Sequence, residues 1–356
     1  MLDLYVDYLI SSSSYTTATG LSELLDQAVS HDRVSRFLSE QLHRSTDLWK
    51  EVKPMVRQVE SVDGVVILDD SIEEKPYTDE SELNTWHHDH TKGRSVKGIQ
   101  FLTALYRVGE VSLPVGFELV TKTETVTDPK TGKPRTKSLK TKNQQYRELL
   151  QMCIHNEIPF RYVLNDIWYG SAQNMKFIKQ ELKKDFVMPL KSNRKVAISK
   201  DEKQRGVYQS VESLGLEPGQ THEVYLEGVE FPLLLVKQVF INEDGSRGVL
   251  HLVTSDVTLD FHSITNLYQK RWKVEEYHKS LKSNASLDKS PTKTVVTQTN
   301  HLFASLCAYV KLESLKMKTQ LNHFALKSKI YLKALQAAYQ QLQQLDTTSI
   351  GSAVPA

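Results

Sequence analysis

Two short apolar runs, each closing on acid, constrain this chain more than any other feature. Val65-Val66-Ile67-Leu68 runs into Asp69-Asp70-Ser71, and Tyr162-Val163-Leu164, preceded by Arg161, into Asn165-Asp166. A short apolar stretch bounded by polar residues reads as a buried strand. Each strand then delivers carboxylates at its C-terminal end, where such residues are otherwise turn formers or helix caps. Between the two lie β-rich runs at residues 98–106 and 111–120 and a helical stretch at 142–155. A helix at 171–182 and a strand at 186–190 follow. The order is strand, strand, strand, helix, strand, helix, strand, which predicts an α/β fold.

A second acidic feature lies far downstream. In Tyr268-Gln-Lys-Arg271-Trp-Lys-Val-Glu275-Glu-Tyr-His-Lys-Ser-Leu-Lys282, a helix turns about 100° per residue. With Tyr268 at zero, Arg271 falls near ~300°, Glu275 near ~340° and Lys282 near ~320°, on one strip about 60° wide. Leu267, Val274 and Leu281 form an apolar ridge beside it. A run of Glu and Lys on a helix is ordinarily a solvated face. Here a carboxylate stands between phosphate-binding cations, a set suited to phosphodiester chemistry, and Glu276 leaves the strip by about 100°.

The spacing Y-x2-R-x3-E-x6-K resembles the signature of DDE transposases of bacterial insertion sequences, of the insertion-sequence-four type. The element order, with acids on the first strand, after the fourth strand and on a late helix, resembles a ribonuclease-H-like core. The resemblance implies catalytic, metal-holding roles for Asp70, Asp166 and Glu275. It points to Asp70 because a hydroxyl residue, Ser71, follows; strand alternation puts Asp69 and Asp70 on opposite faces. The implied cofactor is Mg²⁺, with Mn²⁺ as a substitute, since hard carboxylate oxygens suit such cations. The implied reaction is cleavage at the element's ends followed by attack of the freed 3′-OH on target DNA. Tyr268, Arg271 and Lys282 would grip phosphates, and Arg can do so bidentately.

Charge is unevenly spread along the chain. Residues 1–60 carry six basic against nine acidic residues; 122–147 carry eight against two, and 268–293 seven against three. Basic charge around the acidic residues fits salt-sensitive DNA binding. The loop from Asp128 to Lys142, broken by Pro and Gly, reads as irregular without a partner, and its Lys133, Arg135 and Lys137 as DNA contacts. Thr85-Trp-His-His-Asp-His-Thr-Lys-Gly-Arg94 reads as a polar loop. Its three histidines lack a second ligand pair to close a zinc tetrahedron. Similar stretches follow the first aspartate in the resembling family, which implies phosphate contact by Lys92 or Arg94.

The segments divide as follows. Residues 1–60 read as helical, with helices at 21–28 and 33–43 and a cap at Ser30; a helix-turn-helix for element-end DNA is one reading. Residues 61–190 begin the catalytic core, 191–256 form a β-rich insertion, and 257–290 complete the core. Residues 291–346 read as two helices, the first packing on the core and the second, with Leu332, Leu335, Tyr339 and Leu342, either packing there too, the preferred reading, or serving a dimer, and 347–356 as a tail. The resembling group includes insertions with a stacking Trp, whereas none occurs here between Trp168 and Trp272, leaving Tyr208, Tyr225 or Phe240. Cys153 and Cys307 read as buried free thiols. No signal peptide or membrane span is expected. The implied partners are double-stranded DNA and a second copy of the chain, in a bacterial cytoplasm at the nucleoid. Two other readings are a structure-specific nuclease of the same core, and a DNA-binding protein that has lost turnover.

Overall fold

The computed structural model describes residues 1–89, 92–127, 129, 132–241 and 244–350, without the side chains of Arg135 and 346–350. The chain opens with helices α1 (Leu2–Ser11), α2 (Ala18–Leu24), α3 (His31–Ser39) and α4 (Ser45–Val59). Strands β1 (Val65–Glu74), β2 (Asn84–Asp89), β3 (Arg94–Val108), β4 (Val111–Leu119), β5 (Glu124–Thr127) and β6 (Pro134–Lys137) follow. Next come α5 (Lys142–His155), β7 (Tyr162–Asn165), α6 (Ala172–Lys176), β8 (Asp185–Pro189), β9 (Lys195–Ala197) and α7 (Lys200–Gln204). Then come β10 (Gln209–Ser210), β11 (Thr221–Leu226), β12 (Leu233–Ile241) and β13 (Arg247–Thr254). The chain ends with α8 (Phe261–Gln269), α9 (Lys273–Ser283), α10 (Val295–Thr319) and α11 (His323–Ile350). It forms two compact units, residues 43–278 and residues 1–42 with 279–350; of the expected tail, residues 351–356 lie outside the described residues.

The larger unit is a mixed α/β structure built on one sheet. Among the described residues the sheet has 11 strands, in the order β10-β9-β11-β12-β13-β8-β7-β1-β3-β2, with β4 also on β3. Val65 to Leu68 are almost wholly buried, as an apolar run must be at the centre of a sheet covered on both faces. β1 runs antiparallel to β3 and parallel to β7, and β7 runs parallel to β8. The parallel β1–β7 pair needs a long crossover, and α5 lies within it. The close packing is legible in two glycines. A Cβ on Gly116 would stand 2.2 Å from Met152 Cε of α5, and one on Gly98 2.3 Å from the Glu73 carbonyl oxygen of β1.

The strands at 191–256 continue this sheet, with Leu252 of β13 opposite Pro189 of β8. Two expected loops differ. Part of the basic loop is β6, paired with β5, and the His-rich stretch is β2 running into the turn before β3. In both, main-chain pairing satisfies backbone groups that composition alone assigns to solvent. His90, Thr91, Asp128, Lys130 and Thr131 of these two stretches lie outside the described residues.

In the smaller unit α1 packs on α10. The Tyr5 hydroxyl lies 3.0 Å from His301 Nδ1, and Ser286 Oγ donates to the Leu9 carbonyl at 2.7 Å. Asn300 of α10 donates to the Leu38 carbonyl at the end of α3 at 2.9 Å. Ser30 caps α3 by accepting from Arg33 N at 3.3 Å. Leu302, Leu306 and Leu312 are buried as their spacing requires. The second C-terminal helix departs from the expected packing: Leu332, Leu335, Tyr339 and Leu342 of α11 are 55–66% exposed. Both cysteines are buried free thiols. Among the described residues no helix is long and apolar enough to cross a membrane.

Candidate active site

The sheet register brings the two aspartate segments together. Leu68 of β1 stands opposite Asn165 of β7, so Asp69 comes next within β1 and Asp166 next just past the end of β7. Asp69 is buried, and its Oδ1 accepts from the Asp70 amide at 2.9 Å. Burial drives its carboxyl well above the usual carboxylate range, reinforced by the charges of Asp166 and Asp70. Asp166 is also raised, first by burial; its Oδ1 caps a short 3-10 turn by accepting from Trp168 N at 2.9 Å. The turn is tight for a reason: a Cβ on Gly170 would stand 2.6 Å from the Pro189 carbonyl oxygen.

Asp70 points to other partners. It accepts from the Tyr169 hydroxyl at 2.6 Å and Gln100 Nε2 at 2.6 Å, and pairs with Lys142 Nζ at 3.1 Å. Burial and the Asp70 charge hold the Tyr169 phenol well above its ordinary range, so it stays a proton donor. Its ring stacks on Tyr146 at 4.9 Å between centroids, and the Tyr146 hydroxyl donates to Asn165 Oδ1 at 2.8 Å. Sequence reasoning missed Gln100, Lys142 and Tyr169. Lys142 had a signal, as the last cation of a basic run and the first residue of a capped helix.

The third carboxylate arrives on a helix that is not continuous. α8 and α9 are separated by a 3-10 turn, Lys270–Trp272. That turn advances about 120° per residue in place of 100°, so the single strip read from α-helical periodicity is broken there. The break accompanies the burial of Arg271, whose guanidinium turns inward. Its Nη1 lies 3.8 Å from Asp69 Oδ2 and 3.5 Å from Glu275 Oε1, and its Cζ is 5.5 Å from the Tyr268 ring centroid. Tyr268 is buried and its phenol raised by that burial. Glu275 is half exposed at 53% of its side chain. Lys282 is on α9 but belongs to the smaller unit.

The other expected DNA contacts are spread over surface strands. Lys92 pairs with Glu74 in the turn before β3, and Arg94 opens β3 exposed. Lys133 and Lys137 are exposed beside and on β6; the Arg135 side chain is outside the described set. His87 is buried against Thr85 Oγ1 at 2.9 Å, and burial lowers its imidazole to about 4, a neutral side chain in the sheet. Of the aromatics in the strands at 191–256, Tyr225 is buried and Phe240 44% exposed.

Among the described residues no three His, Cys, Asp or Glu side chains gather closely enough to hold a metal ion in this conformation. Lys142 and Arg271 stand among the carboxylates instead. The donors nonetheless suit a divalent cation: they are carboxylate oxygens, and the raised Asp69 and Asp166 carry a desolvation and like-charge cost that a cation offsets.

Among solved structures, the Drosophila P element transposase strand transfer complex matches at 12% identity and a TM-score of 0.27, over 49% of this chain and 35% of that chain. The match thus spans about a third of that chain's length. No curated protein matches. The family described as DDE superfamily endonuclease matches residues 1–210, and the family described as transposase DDE domain matches residues 117–311. Each match spans more than half of the chain, and the chain belongs to the DDE transposase and endonuclease superfamily.

Proposed function

We propose that this chain is a bacterial insertion-sequence transposase of the Y-R-E-K group, cleaving DNA at the element's ends and joining the freed 3′-OH to target DNA. The observation that carries the reading is Arg271 set between Asp69 and Glu275, with Asp166 beside Asp69. It links the strand-end acids to the helix that bears the signature. The strand path β4-β3-β1-β7-β8, antiparallel up to β1 and parallel beyond it, supports a ribonuclease-H-like core.

Asp166 and Glu275 would hold the divalent cation, Mg²⁺ or Mn²⁺, together with one of the β1 aspartates. The resemblance favours Asp70, whereas the β1–β7 register and Arg271 favour Asp69. Our reading is Asp69, with Asp70 anchoring Lys142 and Tyr169. Held by these carboxylates, such a cation would supply electrostatic stabilisation for phosphoryl transfer. The protein's own part is positional. Arg271 and Tyr268 orient a phosphate beside the acids, Lys142 adds positive charge, and the basic residues Lys92, Arg94, Lys133, Arg135, Lys137 and Lys282 contribute salt-dependent DNA affinity.

The partner is double-stranded DNA, and the assembled form a homodimer. For the latter, Leu332, Leu335, Tyr339 and Leu342 alternate steps of three and four residues and are exposed on α11, as on a coiled-coil seam.

The test is cleavage and joining of a labelled duplex carrying the element's terminal repeat, with Mg²⁺, for wild type, Glu275→Gln, Asp69→Asn and Asp70→Asn. Loss of both steps in Glu275→Gln and Asp69→Asn, with DNA binding retained, is the expected result. Near-normal cleavage by Glu275→Gln would refute the catalytic assignment; loss in Asp70→Asn alone would return the first carboxylate to Asp70. Cleavage without joining of a pre-cut end would favour a structure-specific nuclease, and binding without cleavage a retired DNA-binding protein.

A further inference from the structure

Asp256 lies in the turn between β13 and α8, with its side chain 7% exposed. Its Oδ2 accepts from Arg161 Nη2 at 3.0 Å and from the Tyr162 hydroxyl at 2.7 Å. Its Oδ1 accepts from the Thr258 amide at 3.1 Å and the Thr258 hydroxyl at 2.6 Å. Burial alone would raise this carboxyl, yet the Thr258 and Tyr162 hydroxyls, the Thr258 amide and the Arg161 guanidinium hold it down at about 2. The residue before it makes a second anchor: Ser255 Oγ donates to Asp185 Oδ1 at 2.7 Å. Tyr162 opens β7 and Asp185 opens β8, side by side in the parallel pair. The turn is therefore tied to the starting ends of both strands, whereas Asp166 follows the far end of β7. Arg161 is 53% exposed, so the ion pair itself adds little stability. What the anchors fix is where α8 begins.

The nine residues of α8 rise about 13 Å, and the chain from Tyr162 to Asp166 along β7 also covers about 13 Å. α8 packs on β8 and β13, with Ile264 wholly buried. A strut anchored at the starting ends of the strands thus delivers Arg271 to the level of the acids, its Nη1 3.8 Å from Asp69 Oδ2. We infer that Asp256 is a positioning residue: through Arg161 and Tyr162 it sets the height of α8 along β7, and with it the seat of Arg271 and Glu275 beside Asp69. It acts through the helix and not on the reacting atoms. Its effect on the reaction rests on the transposase reading above; its effect on the seat of Arg271 does not.

The experiment is a double-variant cycle on the full-length protein. It reads thermal melts without DNA and, separately, single-turnover cleavage of the terminal-repeat duplex with Mg²⁺ at saturating protein. Asp256→Asn keeps an oxygen toward Thr258 but turns an amide toward Arg161 and Tyr162, so it frees the turn from β7 and spares the turn itself. Sites a whole helix apart ordinarily give additive shifts in Tm. Here the fall in Tm caused by Arg271→Met should be much smaller in Asp256→Asn than in wild type, because Arg271 has already left its seat. Cleavage by Asp256→Asn should slow by about tenfold to a hundredfold, the scale of a misplacement of about 1 Å, with DNA affinity unchanged. Tyr162→Phe removes one donor and leaves the carboxylate, and should shift both readouts the same way by less. Additive Tm shifts with both variants overturn the assignment. So does an unchanged cleavage rate, or a rate loss matched by an equal loss of DNA affinity, which marks general damage. Absence of cleavage by wild type would sink the transposase reading and leave the melts to decide the placement.

Discussion

Removing the Arg271 guanidinium tests the electrostatic logic of the site directly. Arg271 and Asp69 are 11% and 12% exposed at their side chains, with 3.8 Å between their charges. At an effective dielectric of about 20, that separation corresponds to about 4 kcal/mol of attraction. Arg271→Met keeps the aliphatic stem but leaves Asp69 buried among like charges, and breaking a buried pair on one side costs about 3–5 kcal/mol. For a unit of this size that is a fall of about 10 °C in Tm. Adding Asp69→Asn removes the stranded charge, so the double variant should recover most of the loss.

The pH dependence gives an independent sign. Asp69 is held above its unfolded-state value by burial and then by Asp166 and Asp70. The stability its neutral form contributes is therefore full below the unfolded value and is lost as pH rises through the folded one. Without Arg271 that loss is larger. The deficit of Arg271→Met should be greatest at neutral and alkaline pH and should shrink as pH falls through the folded value of Asp69. Urea and thermal melts of both single variants and the double, across pH, measure it. A deficit that is independent of pH and unrepaired by Asp69→Asn would refute the reasoning and assign the loss to packing.

Gly98→Ala should destabilise the sheet by about 2 kcal/mol or more, because its Cβ would meet the Glu73 carbonyl oxygen at 2.3 Å, backbone that cannot rotate away. A urea midpoint unchanged from wild type would contradict that close approach. The exposed stripe on α11 makes a second prediction: Leu335→Glu with Leu342→Glu should convert a dimer to a monomer in light scattering, with the fold retained. An unaltered mass would remove α11 from the interface.

Much of the fold was legible in local pattern. The two short apolar runs lie in the central strands β1 and β7, and α5 covers the helical stretch read at 142–155. Periodicity failed where tertiary contacts bend it. The Tyr268 to Lys282 strip breaks at a 3-10 turn where Arg271 is buried against acids from another element. The His-rich stretch and the basic loop read as irregular because β2, β5 and β6 draw their pairing from partners that composition does not reveal.

The division at the site has the same cause. Sequence alone determined that two buried strands and one late helix carry acids, although β1 runs on to Glu74 and holds Asp69 and Asp70 at its middle rather than at the expected C-terminal end. Which β1 aspartate meets Arg271, and that Lys142, Tyr169 and Gln100 engage the other, was decided by the tertiary structure. A one-residue step along a strand reverses the face a side chain presents. That face acquires chemical meaning only from what the parallel neighbour, the crossover helix and the distant α8–α9 segment bring against it.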